Sequence, residues 1–220
     1  MDVALVPFSP WWIAASTLLA VAVAGLAAWR ASWRRFMTAE ALNPWCGAVI
    51  ALVVLWSLRA TLAGGVVIHL LGIAAFVLMA GPWLALLGGA VVVLSAGWLH
   101  GVPLVALPTE FLASVCVPAV VVLGLLHLTQ RHLPPNFFVY TIVVAFFGAA
   151  LGAFLAGLAS ATAFVAAGAP PGLIFGQYVP YLLFLAFGEA TLTGMALTLA
   201  VVYRPQWVTT FDDAFYLARR

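Results

Sequence analysis

Residues 64–83 read GGVVIHLLGIAAFVLMAGPW, and this stretch decides how the chain is read. A glycine pair opens it, Gly81-Pro82 closes it, and the apolar run between carries one ionisable group, His69. A barrel strand would alternate polar and apolar residues over about ten positions. This run does not alternate. A continuous apolar segment between turn residues is instead a membrane helix, which pairs every backbone amide within itself. It is short for a perpendicular span, so it either tilts or sinks partly into protein.

The rest of the chain has the same character. Of 220 residues, 66% are hydrophobic and 6% charged, against roughly 25% charged in a soluble domain. Such a surface cannot be kept in water, so the chain is an integral membrane protein. Its length suits one domain of six or seven helices at about 20 residues each. The net charge of +2, with no lysine, gives no reason to expect a nucleic-acid partner. Cys46 and Cys116 are isolated in apolar context and read as inert buried thiols. The first ten residues, MDVALVPFSP, lack the basic start of a cleavable signal. There is no GxSxG motif, no Cys/His pair at informative spacing and no phosphate-binding glycine loop, so the chain does not read as an enzyme.

Turn signals divide the chain into seven spans, at about 11–29, 45–62, 66–81, 83–99, 105–128, 137–167 and 179–203. Pro108 and Pro118 predict a bend in the fifth. Gly148 and Gly152 in the sixth, like Ala20, Ala24 and Ala28 in the first, have the four-residue repeat that permits close helix approach. Both faces are candidate surfaces for partner subunits. Seven spans put the two termini on opposite sides. With the N-terminus outside, Arg30, Arg34, Arg35, Arg131, Arg204, Arg219 and Arg220 fall inside, and only Arg59 lies outside. That agrees with the positive-inside rule and predicts an N-out, C-in, multi-pass protein of the inner (cytoplasmic) membrane. Residues 1–203 form the membrane domain, and 204–220 are an amphipathic cytoplasmic tail, too polar to insert.

This orientation sorts the few polar groups by depth. The Met1 amine, Asp2, His69, His100 and Glu110 come to the outer side, from separate parts of the chain. Imidazole, carboxylate and amine together have the chemistry of a divalent transition-metal site. No HxxxH or HExxH spacing puts two ligands on one helix face, so the alternatives stand beside it. His69 could instead hydrogen-bond a carbonyl at the Gly64-Gly65 reversal, and His100 could sit in a solvated interfacial turn. Glu189 falls near the midplane, where a carboxylate must pair, protonate or serve a polar pathway. A structural carboxyl bonding across helices is the plainer reading.

Four stretches, taken in order, resemble the CbiM/NikM family, the substrate-capturing membrane subunits of energy-coupling-factor transporters for cobalt and nickel. They are Phe8-Ser9-Pro10, Ile68-His69-Leu70-Leu71-Gly72 with Gly81-Pro82-Trp83, Leu107-Pro108-Thr109-Glu110, and Gly188-Glu189-Ala190-Thr191-Leu192-Thr193 with Arg204-Pro205. The resemblance is tightest at residues 69–83 and 188–193. It implies a metal held by the N-terminal amine, a histidine at position two and the histidine of the HLLG motif. His69 carries the last of these, and Met1 carries the amine. Position two is Asp2, a departure from the family, and Asp2 and Glu110 are oxygen donors that move selectivity toward harder ions.

The reading is an all-α membrane protein that captures a divalent cation of the cobalt or nickel class as cargo, with no permanent cofactor. Its metal donors are Met1, Asp2, His69 and Glu110, and Glu189 is a buried polar residue. The resemblance implies a coupling transmembrane subunit and separate ATPase subunits as partners. The alternative is a non-transporting membrane scaffold or assembly factor that retains the fold.

Overall fold

Ser9 and Pro10 start the first helix as their chemistry requires. The Ser9 hydroxyl accepts the Trp12 amide at 3.3 Å, and Pro10 occupies the first turn, where its missing N–H costs nothing. The computed structural model describes residues 8–62 and 67–216. Six of its helices are long and apolar enough to cross a membrane: α1 (Pro10–Arg30), α3 (Ala39–Ser57), α5 (Pro82–Leu99), α6 (Leu104–His132), α7 (Val139–Ala166) and α8 (Pro171–Tyr203). A short helix α2 (Trp33–Phe36) links α1 to α3.

The deciding stretch differs from its expected form. Helix α3 ends at Ser57, and Arg59–Thr61 (β1) pairs antiparallel with Val67–His69 (β2), placing Arg59 opposite His69. The Gly64-Gly65 reversal lies outside the described residues. The expected third helix begins at Ile73 instead of residue 66: α4 (Ile73–Ala80) has eight residues. Val67 and Ile68 are β-branched and favour the strand, and an apolar run this short hides its period.

Helix α4 spans about 12 Å at 1.5 Å per residue, well short of a hydrocarbon core of about 30 Å. Strand β2 (Val67–His69) precedes it and adds about 10 Å at 3.3 Å per residue, before the chain turns at Gly72. Ile73, Ala74, Phe76, Val77 and Leu78 are all buried, so α4 is sheathed by the other helices. It packs against α3, α5, α6 and α8. The architecture is therefore all-α with about seven membrane helices, the third of them sunk in protein.

Of the prolines within long helices, Pro118 and Pro180 follow wider turns, whereas Pro44 sits in the second turn of α3 with none. A proline ring strikes the carbonyl four residues back in a regular α-helix. In α6 a π turn over Leu112–Cys116 precedes Pro118, and in α8 one over Ile174–Tyr178 precedes Pro180. The widened turn draws that carbonyl off the ring. Pro108 sits in a first turn, where no such relief is needed.

Small residues in α7 let its neighbours close in. A Cβ at Gly152 would stand 3.2 Å from the Pro118 Cα of α6, and one at Gly157 would stand 2.3 Å from Leu182 of α8. This face, expected to meet partner subunits, is used inside the chain. Likewise α1 turns Ala20 inward and packs against α5.

The chain after α8 returns beneath α4. A helix leaves its last carbonyls unpaired; here the Thr209 amide donates to Met79 O at 3.0 Å and the Thr210 hydroxyl to Leu78 O at 2.7 Å. Phe211 and Tyr216 stack at 4.9 Å and 10°, both edge-on to Tyr140. Gln130 donates to the Tyr216 hydroxyl at 3.2 Å. Arg30 lies 5.8 Å from the Trp83 ring, so the end of α1, the start of α5 and this return share one end of the molecule. The β1–β2 hairpin and His100 occupy the other.

Candidate metal site

Three elements converge on His69. Strand β2 presents it 4% exposed, Trp56 of α3 lies against it with ring centroids 4.6 Å apart, and Glu110 of α6 faces it from a site 6% exposed. The His69 Nδ1 lies 3.0 Å from the Leu70 carbonyl. A carbonyl can only accept, so Nδ1 carries the hydrogen and Nε2 the lone pair. That Nε2 faces Glu110 Oε1 at 4.0 Å.

An imidazole nitrogen and a carboxylate oxygen, brought together from separate elements, are both donor types that a divalent transition-metal cation accepts. A first-row divalent ion bonded at about 2.0–2.2 Å to each atom needs them about 3.0–3.5 Å apart in cis-octahedral or tetrahedral geometry. The observed 4.0 Å is wider by less than about 1 Å, within the reach of a side-chain adjustment. The Ser114 hydroxyl donates to the same Glu110 Oε1 at 2.9 Å, orienting the carboxylate from one turn along α6. Trp12 Nε1 donates to Thr109 at 3.0 Å and ties the start of α6 to α1.

Behind His69 the chain is unwound at membrane depth, where each unpaired backbone group is costly. Glu189 of α8, 1% exposed, supplies the acceptor. Its Oε1 takes the amide of Leu71, and Gly72 N–H lies 3.1 and 3.0 Å from Oε1 and Oε2. Trp56 Nε1 donates to the Leu71 carbonyl at 2.9 Å. Gly72 then turns the chain into α4 at φ 65°, in the left-handed region that glycine tolerates. A Cβ there would also meet Leu52 at 2.6 Å.

The structure thus brings His69 and Glu110 together and sets Glu189 directly behind them. His100 stands exposed at the end of α5 and reaches His69 only through its field. Met1 and Asp2 lie outside the described residues. Among the described residues no group of three His, Cys, Asp or Glu side chains converges. Open spaces of about 590 and 790 Å³ lie between α3, α4 and the chain after α8. A metal ion needs donors more than room, so these spaces do not compete with His69 as its site.

Sequence reasoning missed Ser114 and Trp56. Ser114 was within reach, since it follows Glu110 by four residues and shares its helix face. Trp56 carried a weaker signal: an indole N–H in an apolar run needs an acceptor, but the sequence does not say which.

Comparison with known proteins follows the same lines. The family model described as "Cobalt uptake substrate-specific transmembrane region" matches residues 6–207. No curated protein matches the sequence. Two solved structures share the fold at 16% identity. One, described as a truncated transition metal transporter, aligns over 92% of this chain and 99% of its own with a TM-score of 0.79. The other, a transition metal transporter, aligns over 90% and 91% with a TM-score of 0.76.

Proposed function

Because the chain belongs to the CbiM family of cobalt-uptake transmembrane proteins, we propose that it captures a divalent transition-metal cation at its outer end for uptake. The observation that carries this reading is the buried pair of His69 Nε2 and Glu110 Oε1, 4.0 Å apart on separate elements. His69 is the anchor ligand and Glu110 an oxygen donor, with the Met1 amine and Asp2 completing the shell. The cargo is of the cobalt or nickel class. The mixed nitrogen and oxygen set favours ions that accept carboxylate as well as imidazole.

Arg30, Arg34, Arg131 and Arg204 share the end away from His69, which makes that end cytoplasmic by the positive-inside rule. The membrane is then the inner one, with His69 facing outward. The sequence holds no phosphate-binding glycine loop, so energy comes from separate ATPase subunits through a coupling transmembrane subunit. Residues 204–220 form the cytoplasmic tail.

Titration of purified protein with Co²⁺, Ni²⁺ and Zn²⁺, beside His69→Ala, tests the reading. Wild type binds at least one of these ions, and His69→Ala loses 100-fold or more in affinity. Equal binding by the two proteins overturns the site. Asp2, standing where the family has histidine, favours a second reading, a membrane scaffold that retains the fold without the cargo. Wild-type protein that binds none of the three ions selects that reading.

A further inference from the structure

We infer that Glu189 is a positioning residue for the His69 ligand, acting through the peptide unit that joins Leu70 to Leu71. The inference rests on the reading of His69 as a metal ligand. The Leu71 N–H that Glu189 accepts and the Leu70 C=O that faces His69 Nδ1 belong to one peptide group. A peptide unit is planar, and its N–H and C=O point in opposite directions. Gripping the N–H therefore aims the C=O, and with it the imidazole. The resulting line runs from the Glu189 carboxylate through the 70–71 peptide and His69 Nδ1 to Nε2, which looks at Glu110.

Two consequences bear on the metal. A carboxylate on the N–H polarises the amide and makes its carbonyl a better acceptor, as in any chain of hydrogen bonds. A better acceptor at Nδ1–H fixes the tautomer that leaves Nε2 unprotonated and makes that nitrogen a stronger donor. Metal-binding histidines commonly receive this service directly from a carboxylate. Here a backbone amide stands between the two. The second consequence concerns rigidity. Leu71 is held at its amide by Glu189 and at its carbonyl by Trp56, and Gly72 is held by both carboxylate oxygens. The 70–71 plane is thus held at its N–H by Glu189 and at its C=O by His69, and the next plane, 71–72, is held by Glu189 and Trp56, which resists rotation about the Leu71 Cα that joins them. A carboxyl present only to satisfy buried amides would leave the His69 tautomer indifferent to its charge. Here the tautomer depends on it.

The test reads the tautomer itself in metal-free protein. Histidine is labelled with ¹⁵N, the His69 resonances are assigned by their loss in His69→Gln, and Nδ1–H and Nε2–H populations are compared between wild type and Glu189→Gln. Wild type holds the Nδ1–H form. Glu189→Gln, correctly folded by circular dichroism and gel filtration, moves population to the Nε2–H form and binds Co²⁺ 10- to 100-fold more weakly. In a His69→Ala background Glu189→Gln has no further effect on Co²⁺ binding. An unchanged tautomer in folded Glu189→Gln overturns the inference even if affinity falls. A shifted tautomer in a wild-type protein that binds no metal upholds the relay and removes the transport reading. Where Glu189→Gln does not fold, Glu189→Asp is used instead: its carboxylate, one methylene further back, loses the Leu71 N–H, so population moves to the Nε2–H form, and an unchanged tautomer overturns the inference.

Discussion

Helix α4 is held at both ends by the same later part of the chain, and the two ends are held differently. At its N-terminus a single charged group, Glu189, collects two amides. At its C-terminus two threonines donate to the carbonyls of Leu78 and Met79, beside an aromatic cluster of Tyr140, Phe211 and Tyr216. Both arrangements solve one problem, the unpaired backbone groups of a short helix buried away from water. The polarity of each follows the helix dipole, with a negative group at the amino end and donors at the carboxyl end. They differ in redundancy. The lower end spreads its hold over several neutral contacts, any one of which can be lost. The upper end rests on one carboxylate, because that end must also fix the direction of His69.

The contrast can be broken most sharply at Glu189. Replacing it with leucine leaves the Leu71 and Gly72 amides buried without an acceptor, at about 1–3 kcal/mol each. Glu189→Leu is expected to lose about 4 kcal/mol, read as a large fall in the thermal midpoint in detergent. A loss below about 1 kcal/mol would mean that the upper end has other support. Phe211→Ala removes the stacked ring at the lower end and is expected to cost about 2–3 kcal/mol. An unchanged midpoint would detach the tail from the fold.

Thr210→Val, which keeps shape and removes one hydroxyl, is expected to cost about 1 kcal/mol. A loss approaching that of Glu189→Leu would erase the difference between the ends.

Much of this was legible in the sequence. Continuous apolar runs and the placement of arginines define the membrane helices, because lipid imposes its demands residue by residue. His69 and Glu110 stood out because ionisable groups are scarce. The hairpin 59–69 was hidden, since Val67 and Ile68 are as apolar as the helix they interrupt. The partnerships that matter most were out of reach for another reason. Thr210 with Leu78 and Glu189 with Leu71 join residues more than a hundred positions apart, and no local spacing encodes such pairs. The fate of Gly148 and Gly152 shows the same limit. Their pattern announced close packing, but only the fold could say that the neighbours were Val122 and Pro118.

The distance along the chain between the unwound loop and its acceptor has a consequence for how the protein is made. Leu71 enters the membrane 118 residues before Glu189 is synthesised. At about 5–20 residues per second, that is an interval of about 6–24 s. During that time the Leu71 and Gly72 amides lack the acceptor that holds them in the finished fold, so the unwound form of residues 70–72 depends on a group made later and is a late product of assembly, not a local property of the stretch that contains it.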